Sequence, residues 1–300
     1  MKKNIFFLFL FLQNISYIQP NQTSQFKADL VIFSYDRPLQ LYALLESLYL
    51  YTTDINSIAV VYRTSDDRYY AAFNAVALQF PDVQFLHQQS IHDFKTLTLQ
   101  ALESSSSDYV VFAVDDNIVK DTISLNECID WLEKTDAYGF YLKLGTHLDY
   151  CYMENTPQAV PPYKHIHKNI LSWEFEAGEK DWCYPNTVDM TLYRKKDLLH
   201  LFQSLEYKNP NLLEGNWAAR WVKHRAPSSI GLFYGNSKII NIPLNKVQTV
   251  NILNRDMNLY APQELLEKFE AGYKMDIAPL YHMKNKAVHT EYEPTFILRK

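Results

Sequence analysis

Tyr109-Val110-Val111-Phe112-Ala113-Val114-Asp115-Asp116-Asn117 decides the reading of this chain. An unbroken apolar run of this length, preceded by the polar loop Ser104 to Ser107, is expected of a strand buried on both faces. Two adjacent carboxylates at its mouth repel each other unless a cation offsets them. Magnesium or manganese, which take oxygen ligands and bridge substrate phosphates, would do so. An acidic turn capping the following helix is the other reading, since Asp and Asn are good caps.

What precedes this stretch favours the site. Leu30-Val31-Ile32-Phe33-Ser34 is a second buried strand, and Asp36-Arg37-Pro38 supplies a turn and a helix start, with Pro38 suited to the first helical position. Leu41, Leu44, Leu45 and Leu48 then repeat at helical spacing. Ile58 to Tyr62 followed by a helix over Asp66 to Phe80, and Val83 to Leu86 followed by a helix over Phe94 to Leu102, repeat the unit. Alternating strands and helices with short links predict an α/β fold with a mainly parallel sheet flanked by helices. Ligands gather at the carboxyl ends of the strands in such sheets. Here those ends are Ser34-Tyr35-Asp36-Arg37, Arg63-Thr64-Ser65-Asp66, His87-Gln88 and Asp115-Asp116-Asn117, all polar.

Beyond Val119 the pattern is less regular. Helices are expected over 123–134, 196–205, 213–222 and 264–269, and strands over 138–144, 170–175, 182–184 and 188–193. A loop is expected over 146–162. Ile230 to Tyr234 and Lys238 to Ile242 read as a hairpin through Gly235-Asn236, a strong turn pair. The tail after Phe269 reads as irregular. A single domain over 28–300 is expected, with a regular half over 28–120 and a less regular half over 121–300.

Composition sets the outer bounds. Hydrophobic residues make up 47% and charged residues 21% of the 300, as in a folded chain. A net charge of −5 argues against a nucleic-acid partner, which would demand clustered Lys and Arg. Only 7 glycines are present, and none forms a phosphate-cradling loop of the P-loop or dinucleotide type. Cys128, Cys151 and Cys183 make neither a disulfide framework nor a zinc pattern. Lys2 and Lys3 followed by the apolar run at residues 5–12 read as a signal-peptide core or anchor, too short to span a bilayer alone, followed by a polar linker to residue 27. An exported or membrane-associated chain is the expectation.

The segments Val31 to Pro38 and Asp108 to Asn117, in that order and spacing, resemble the GT-A glycosyltransferases, in particular the inverting family 2 group. The resemblance covers about the first 120 residues. It implies a nucleotide-diphosphate sugar as donor, a Mn2+ or Mg2+ cofactor, and a glycan, lipid or protein acceptor. It implies that Ser34, Tyr35, Asp36 and Arg37 begin the nucleotide pocket, that Asp115 contacts the ribose, and that Asp116 binds the metal, with the Asn117 carbonyl a further ligand. Relatives place a base-reading acid near the second strand end; Arg63, Asp66 and Asp67 occupy that region, and either Asp66 or Asp67 is equally a helix cap. Lys95, opening the third helix, is a candidate diphosphate contact.

An inverting transfer needs a general base for the acceptor hydroxyl. Family members use an acid at a later helix start, for which Glu214 in Asn209-Pro210-Asn211-Leu212-Leu213-Glu214-Gly215-Asn216-Trp217 is the best match and Asp181 the rival. Trp182 or Trp217 beside either acid is a candidate sugar-stacking wall. A late histidine completes the metal shell in some members; His165, His167, His224, His282 and His289 are the choices. The expected activity is metal-dependent glycosyl transfer. A nucleotidyltransferase lacks its Gly-rich basic loop here, and a non-catalytic carbohydrate-binding protein on the same fold is the non-enzymatic alternative.

Overall fold

A computed structural model describes residues 25–223, 228–247 and 255–300. The apolar run at 5–12 and His224 lie outside these.

The strands of the main sheet are β1 (Ala28–Tyr35), β2 (Ile55–Arg63), β3 (Val83–His87), β4 (Tyr109–Val114), β5 (Gly139–Tyr141), β6 (Tyr163–His167), β7 (Ile170–Glu174), β8 (Thr191–Arg194) and β9 (Ile230–Tyr234). The helices are α1 (Pro38–Tyr51), α2 (Asp67–Gln79), α3 (Asp93–Glu103), α4 (Leu125–Lys134), α5 (Lys195–Ser204), α6 (Pro210–Lys223) and α7 (Pro262–Glu270). The nine strands lie in the order β6-β7-β9-β5-β8-β4-β1-β2-β3. β4, β1, β2 and β3 are mutually parallel, whereas β8 runs antiparallel to both β4 and β5. The α/β architecture of a mixed sheet flanked by helices is thus the one expected, and the sheet runs through both halves of the chain.

Alternation on the central strands builds a core on each face. Leu30, Ile32, Val111 and Ala113 pack against α1, α2, α4 and α7, while Val31, Phe33, Val110 and Phe112 pack against α3, α5 and α6. Each buried Val or Phe of this kind contributes roughly 1.5–3 kcal/mol. Register then fixes the site: Phe33 pairs with Val114, and the Asp115 N–H donates to Phe33 O. Ser34 and Tyr35 therefore end beside Asp115.

Several boundaries differ from expectation. Ile239–Asn241 does not form a hairpin with β9; it pairs antiparallel with Asn117–Val119 in a separate two-stranded sheet. β9 instead lies between β7 and β5. The aromatic stretch at 182–184 is not a strand, because Lys180–Cys183 winds into a 3-10 turn after a left-handed Lys180. The loop over 146–162 carries a short pairing of Tyr150–Cys151 with Thr156–Pro157. The tail is more ordered than expected, with Tyr273–Met275 paired to Phe296–Leu298.

Candidate active site

A cleft of about 810 Å³ opens at the carboxyl ends of β1, β2 and β4. Asp115 is its best-anchored acid: one oxygen accepts from Ser34 Oγ at 2.8 Å and Tyr35 N at 3.3 Å, the other from Arg37 Nη1 at 2.9 Å. The same Arg37 nitrogen lies 3.2 Å from Asp116 Oδ2, and its other nitrogens donate to the side chain and backbone carbonyl of Asn245. The cation that relieves the Asp115–Asp116 repulsion within the protein is therefore Arg37. It is aimed by Asp36, whose left-handed backbone (φ 53) ends β1 and begins the turn into α1.

The remaining residues arrive from the second half. Pairing of Asn241 with Asn117 sets the Asn241 amide 2.9 Å from Asp116 Oδ1, and the same Nδ2 lies 3.4 Å from Asp189 Oδ1. A bridge between Asn241 and His289 brings the tail histidine in, with Nε2 at 3.7 Å from Asp189 Oδ2. Lys143 donates to Thr187 Oγ1 at 2.9 Å and stands 3.9 Å from Asp189 Oδ2. Glu214 projects from α6, which Asn209 caps by accepting from Leu212 N and which Pro210 opens. Buried Leu213 and Trp217 face that helix to the core, and Glu214 Oε1 accepts from Val188 N at 2.6 Å.

Charge in this cluster is unbalanced. Four carboxylates, Asp115, Asp116, Asp189 and Glu214, meet two cations, Arg37 and Lys143. Burial, reinforced by Asp115 and Asp189, pushes the Asp116 carboxyl up to about 7 despite Arg37. Burial and the Asp189 charge likewise push Glu214 up to about 7, with Lys143 opposing. Burial holds the His289 imidazole below its ordinary value and hence neutral. Asn241 Oδ1 is buried with no hydrogen-bond partner. Excess carboxylate, a neutral imidazole and a spare amide oxygen fit a hard divalent cation. Among the described residues, however, no three His, Cys, Asp or Glu side chains converge into a shell. Phosphate oxygens or water would have to complete it.

Of the other residues singled out in the sequence, Ser34, Tyr35, Arg63 and Asp181 line the cleft. The Arg63 guanidinium lies 5.1 Å from the centroid of the Tyr35 ring, and Asp181 is held by both amide atoms of Gln158. Asp36, Asp66, Lys95 and Asn117 do not line it. The Asp36 carboxylate accepts from Ser65 N at 2.8 Å, bracing two strand ends. Asp66 caps α2, accepting from Arg68 N and Tyr69 N. Lys95 pairs with Glu206 at 3.1 Å. The Asn117 side-chain oxygen accepts from Val114 N at 3.0 Å and its nitrogen donates to Asp189 Oδ1 at 3.3 Å, so the amide ties the strand end to the acidic cluster with its carbonyl engaged by the backbone. Trp182 and Trp217 are both fully buried core residues, not a sugar wall. His165 and His167 lie on the edge strand β6 and His282 lies near Asp121, so His289 is the described late histidine that reaches the cleft.

Sequence reasoning missed Lys143 and Asp189. An acid between Val188 and Met190 in a strand-like run was the signal available for Asp189.

No protein-family profile matches the chain. Over 190 residues it is 26% identical to the bifunctional glycosyltransferase pgtA of Dictyostelium discoideum. The likeness is to a glycosyltransferase. It takes in 56% of this chain and 24% of the relative, so the chain spans about a quarter of that protein's length. Among solved structures, S. aureus TarS 1-349 aligns with 71% of this chain and 59% of its own at 11% identity and a TM-score of 0.45. The mannosyltransferase PcManGT of Pyrobaculum calidifontis, in complex with GDP-Man and Mn2+, aligns with 60% of this chain and 48% of its own at 15% identity and a TM-score of 0.38. Both overlaps are partial.

Proposed function

We propose that the chain is a metal-dependent, inverting glycosyltransferase using a nucleotide-diphosphate sugar. The observation that carries this reading is the facing of two acid groups across one cleft: the Arg37-clamped Asp115 and Asp116 at the end of β4, and Glu214, pushed up to about 7, on α6. The similarity to pgtA supports it.

In the proposed step, the acceptor hydroxyl oxygen forms a bond to the anomeric carbon as the bond from that carbon to the diphosphate breaks. The hydroxyl proton passes to Glu214, and the nucleoside diphosphate leaves with the bonding electrons. A carboxylate near pH 7 in proton affinity is well matched to that transfer. Asp115 offers its remaining lone pairs to the ribose while fixing Arg37. Asp116 and His289 would hold a Mn2+ or Mg2+ ion, which when bound supplies charge neutralisation at the diphosphate. A single displacement inverts the anomeric centre.

Thermal shift with UDP and GDP, each with and without manganese, tests the reading. Stabilisation by one nucleotide in the presence of metal, lost in Asp116→Ala, is expected; no stabilisation by either would count heavily against it. We also propose, from the apolar run at 5–12, that the chain is exported or membrane-associated. Full-length protein should then sediment with membranes or be secreted, and recovery wholly in the soluble cell fraction would rule this out. Among the described residues no helix is long and apolar enough to cross a membrane.

A further inference from the structure

Tyr184 is an aromatic ring presented to the cleft by a backbone pinned on both sides. Its side chain is 38% exposed, while Trp182 before it is 0% exposed. The Trp182 carbonyl accepts from Trp173 Nε1 at 2.9 Å. Directly after Tyr184, the Pro185 carbonyl accepts from two buried tyrosine hydroxyls, Tyr141 and Tyr193, each at 2.7 Å. Asn186 is in turn held by Tyr138 Oη at 3.0 Å. An exposed tyrosine on so rigid a support costs little ordering entropy when something stacks on it. The fold invests several buried hydrogen bonds in holding that short segment, and packing the ring away is not their result.

The ring shares the cleft with polar groups as well as with Met153, Val188 and Pro210. Glu214, Asp181, Asn209 and Asn211 line the cleft with it. Burial, reinforced by the nearby Glu214 and Asp189 charges, pushes its hydroxyl pKa up. A flat apolar face beside carboxylates and amides matches a pyranose, whose C–H face stacks on an aromatic ring and whose hydroxyls both donate and accept. At the ends of β1 and β2 the cleft carries a half-buried cation–π pair, the Arg63 guanidinium against the Tyr35 ring.

Resting on the transferase reading above, we infer that Tyr184 is the stacking platform of the acceptor subsite and that the acceptor is a saccharide. Its hydroxyl is the oxygen that bonds to the anomeric carbon and gives its proton to Glu214.

The test has two arms. Nucleoside diphosphate release is measured from a panel of UDP- and GDP-sugars, alone and with methyl glycosides of glucose, galactose, mannose and N-acetylglucosamine. At least one glycoside should raise release severalfold. In Tyr184→Ala that stimulation should fall tenfold or more at sub-saturating glycoside while unstimulated hydrolysis stays within twofold; Tyr184→Phe should keep most of the stimulation. Equal loss of hydrolysis and stimulation in Tyr184→Ala would assign the ring to the donor or to folding and overturn the inference. So would stimulation by a polyprenyl phosphate or a serine-containing peptide with none by any glycoside. Absence of both donor hydrolysis and nucleotide-induced thermal shift would instead sink the transferase reading, and the inference with it.

Discussion

Arg37 donates to Asp115 across 2.9 Å, although 78 residues separate them in the chain. This contact exists because β1 and β4 are neighbours whose ends lie in register. It also makes Arg37 the internal counter-charge of the Asp115–Asp116 pair. Arg37→Met should cost about 3–5 kcal/mol at pH 8, because one partner of a largely buried ion cluster is lost. Asp116 binds a proton more readily once Arg37 is gone, so the deficit relative to wild type should shrink at pH 5. Urea midpoints at the two pH values check this; equal deficits at both would contradict the assigned role.

Glu214 has a folded pKa of about 7 against an ordinary value of 4.5. The unfolded chain therefore loses this proton first, and stability falls as pH rises from about 4.5 to 7. Glu214→Gln keeps the acceptor for Val188 N and removes the charge. In chelator-treated protein its stability relative to wild type should rise from pH 5 to pH 8, by roughly 1–3 kcal/mol. Transfer should fall by about 10²–10⁴ with donor binding retained. A pH-independent difference in melting temperature would show that the carboxyl is not held in this way.

Asp66 separates two roles that looked equal in the sequence. As the cap of α2, Asp66→Ala should lose about 1 kcal/mol of stability and leave nucleotide affinity unchanged. Weakened nucleotide binding without a stability loss would return Asp66 to the cleft.

A second ion pair lies far from the chemistry. Lys195 Nζ is 2.6 Å from Asp29 Oδ2, both buried, and Asp29 also accepts from Asn56, Ser57 and Ser105. Lys195→Met leaves the Asp29 charge without its partner and should cost about 3–5 kcal/mol. In the folded fraction nucleotide binding should match wild type; a selective loss of binding would tie this pole to the cleft.

The parts of the site legible in the sequence are those that local pattern dictates. The runs Leu30 to Phe33 and Tyr109 to Val114 can hardly be anything but buried parallel strands, and their ends fix Ser34, Arg37, Asp115 and Asp116. Asn241, Asp189 and His289 were not legible in the same way. They meet through an antiparallel pairing of Asn117 with Asn241 and a bridge from Asn241 to His289, contacts that no local periodicity encodes. The Gly235-Asn236 pair misled for the same reason. It is a turn signal, but the strand after it found a better partner in Asn117–Val119 than in β9. Trp182 and Tyr184 looked like strand aromatics, whereas Trp182 is a core plug and Tyr184 faces the cleft.

The most direct test of the central claim is release of nucleoside diphosphate from a panel of UDP- and GDP-sugars with manganese present, measured for wild type, Asp116→Ala and Glu214→Gln. At least one donor should be turned over by wild type. Asp116→Ala should lose both turnover and donor binding, while Glu214→Gln should bind that donor normally and fail to transfer. Turnover of none of the donors, together with binding of none, would contradict the account.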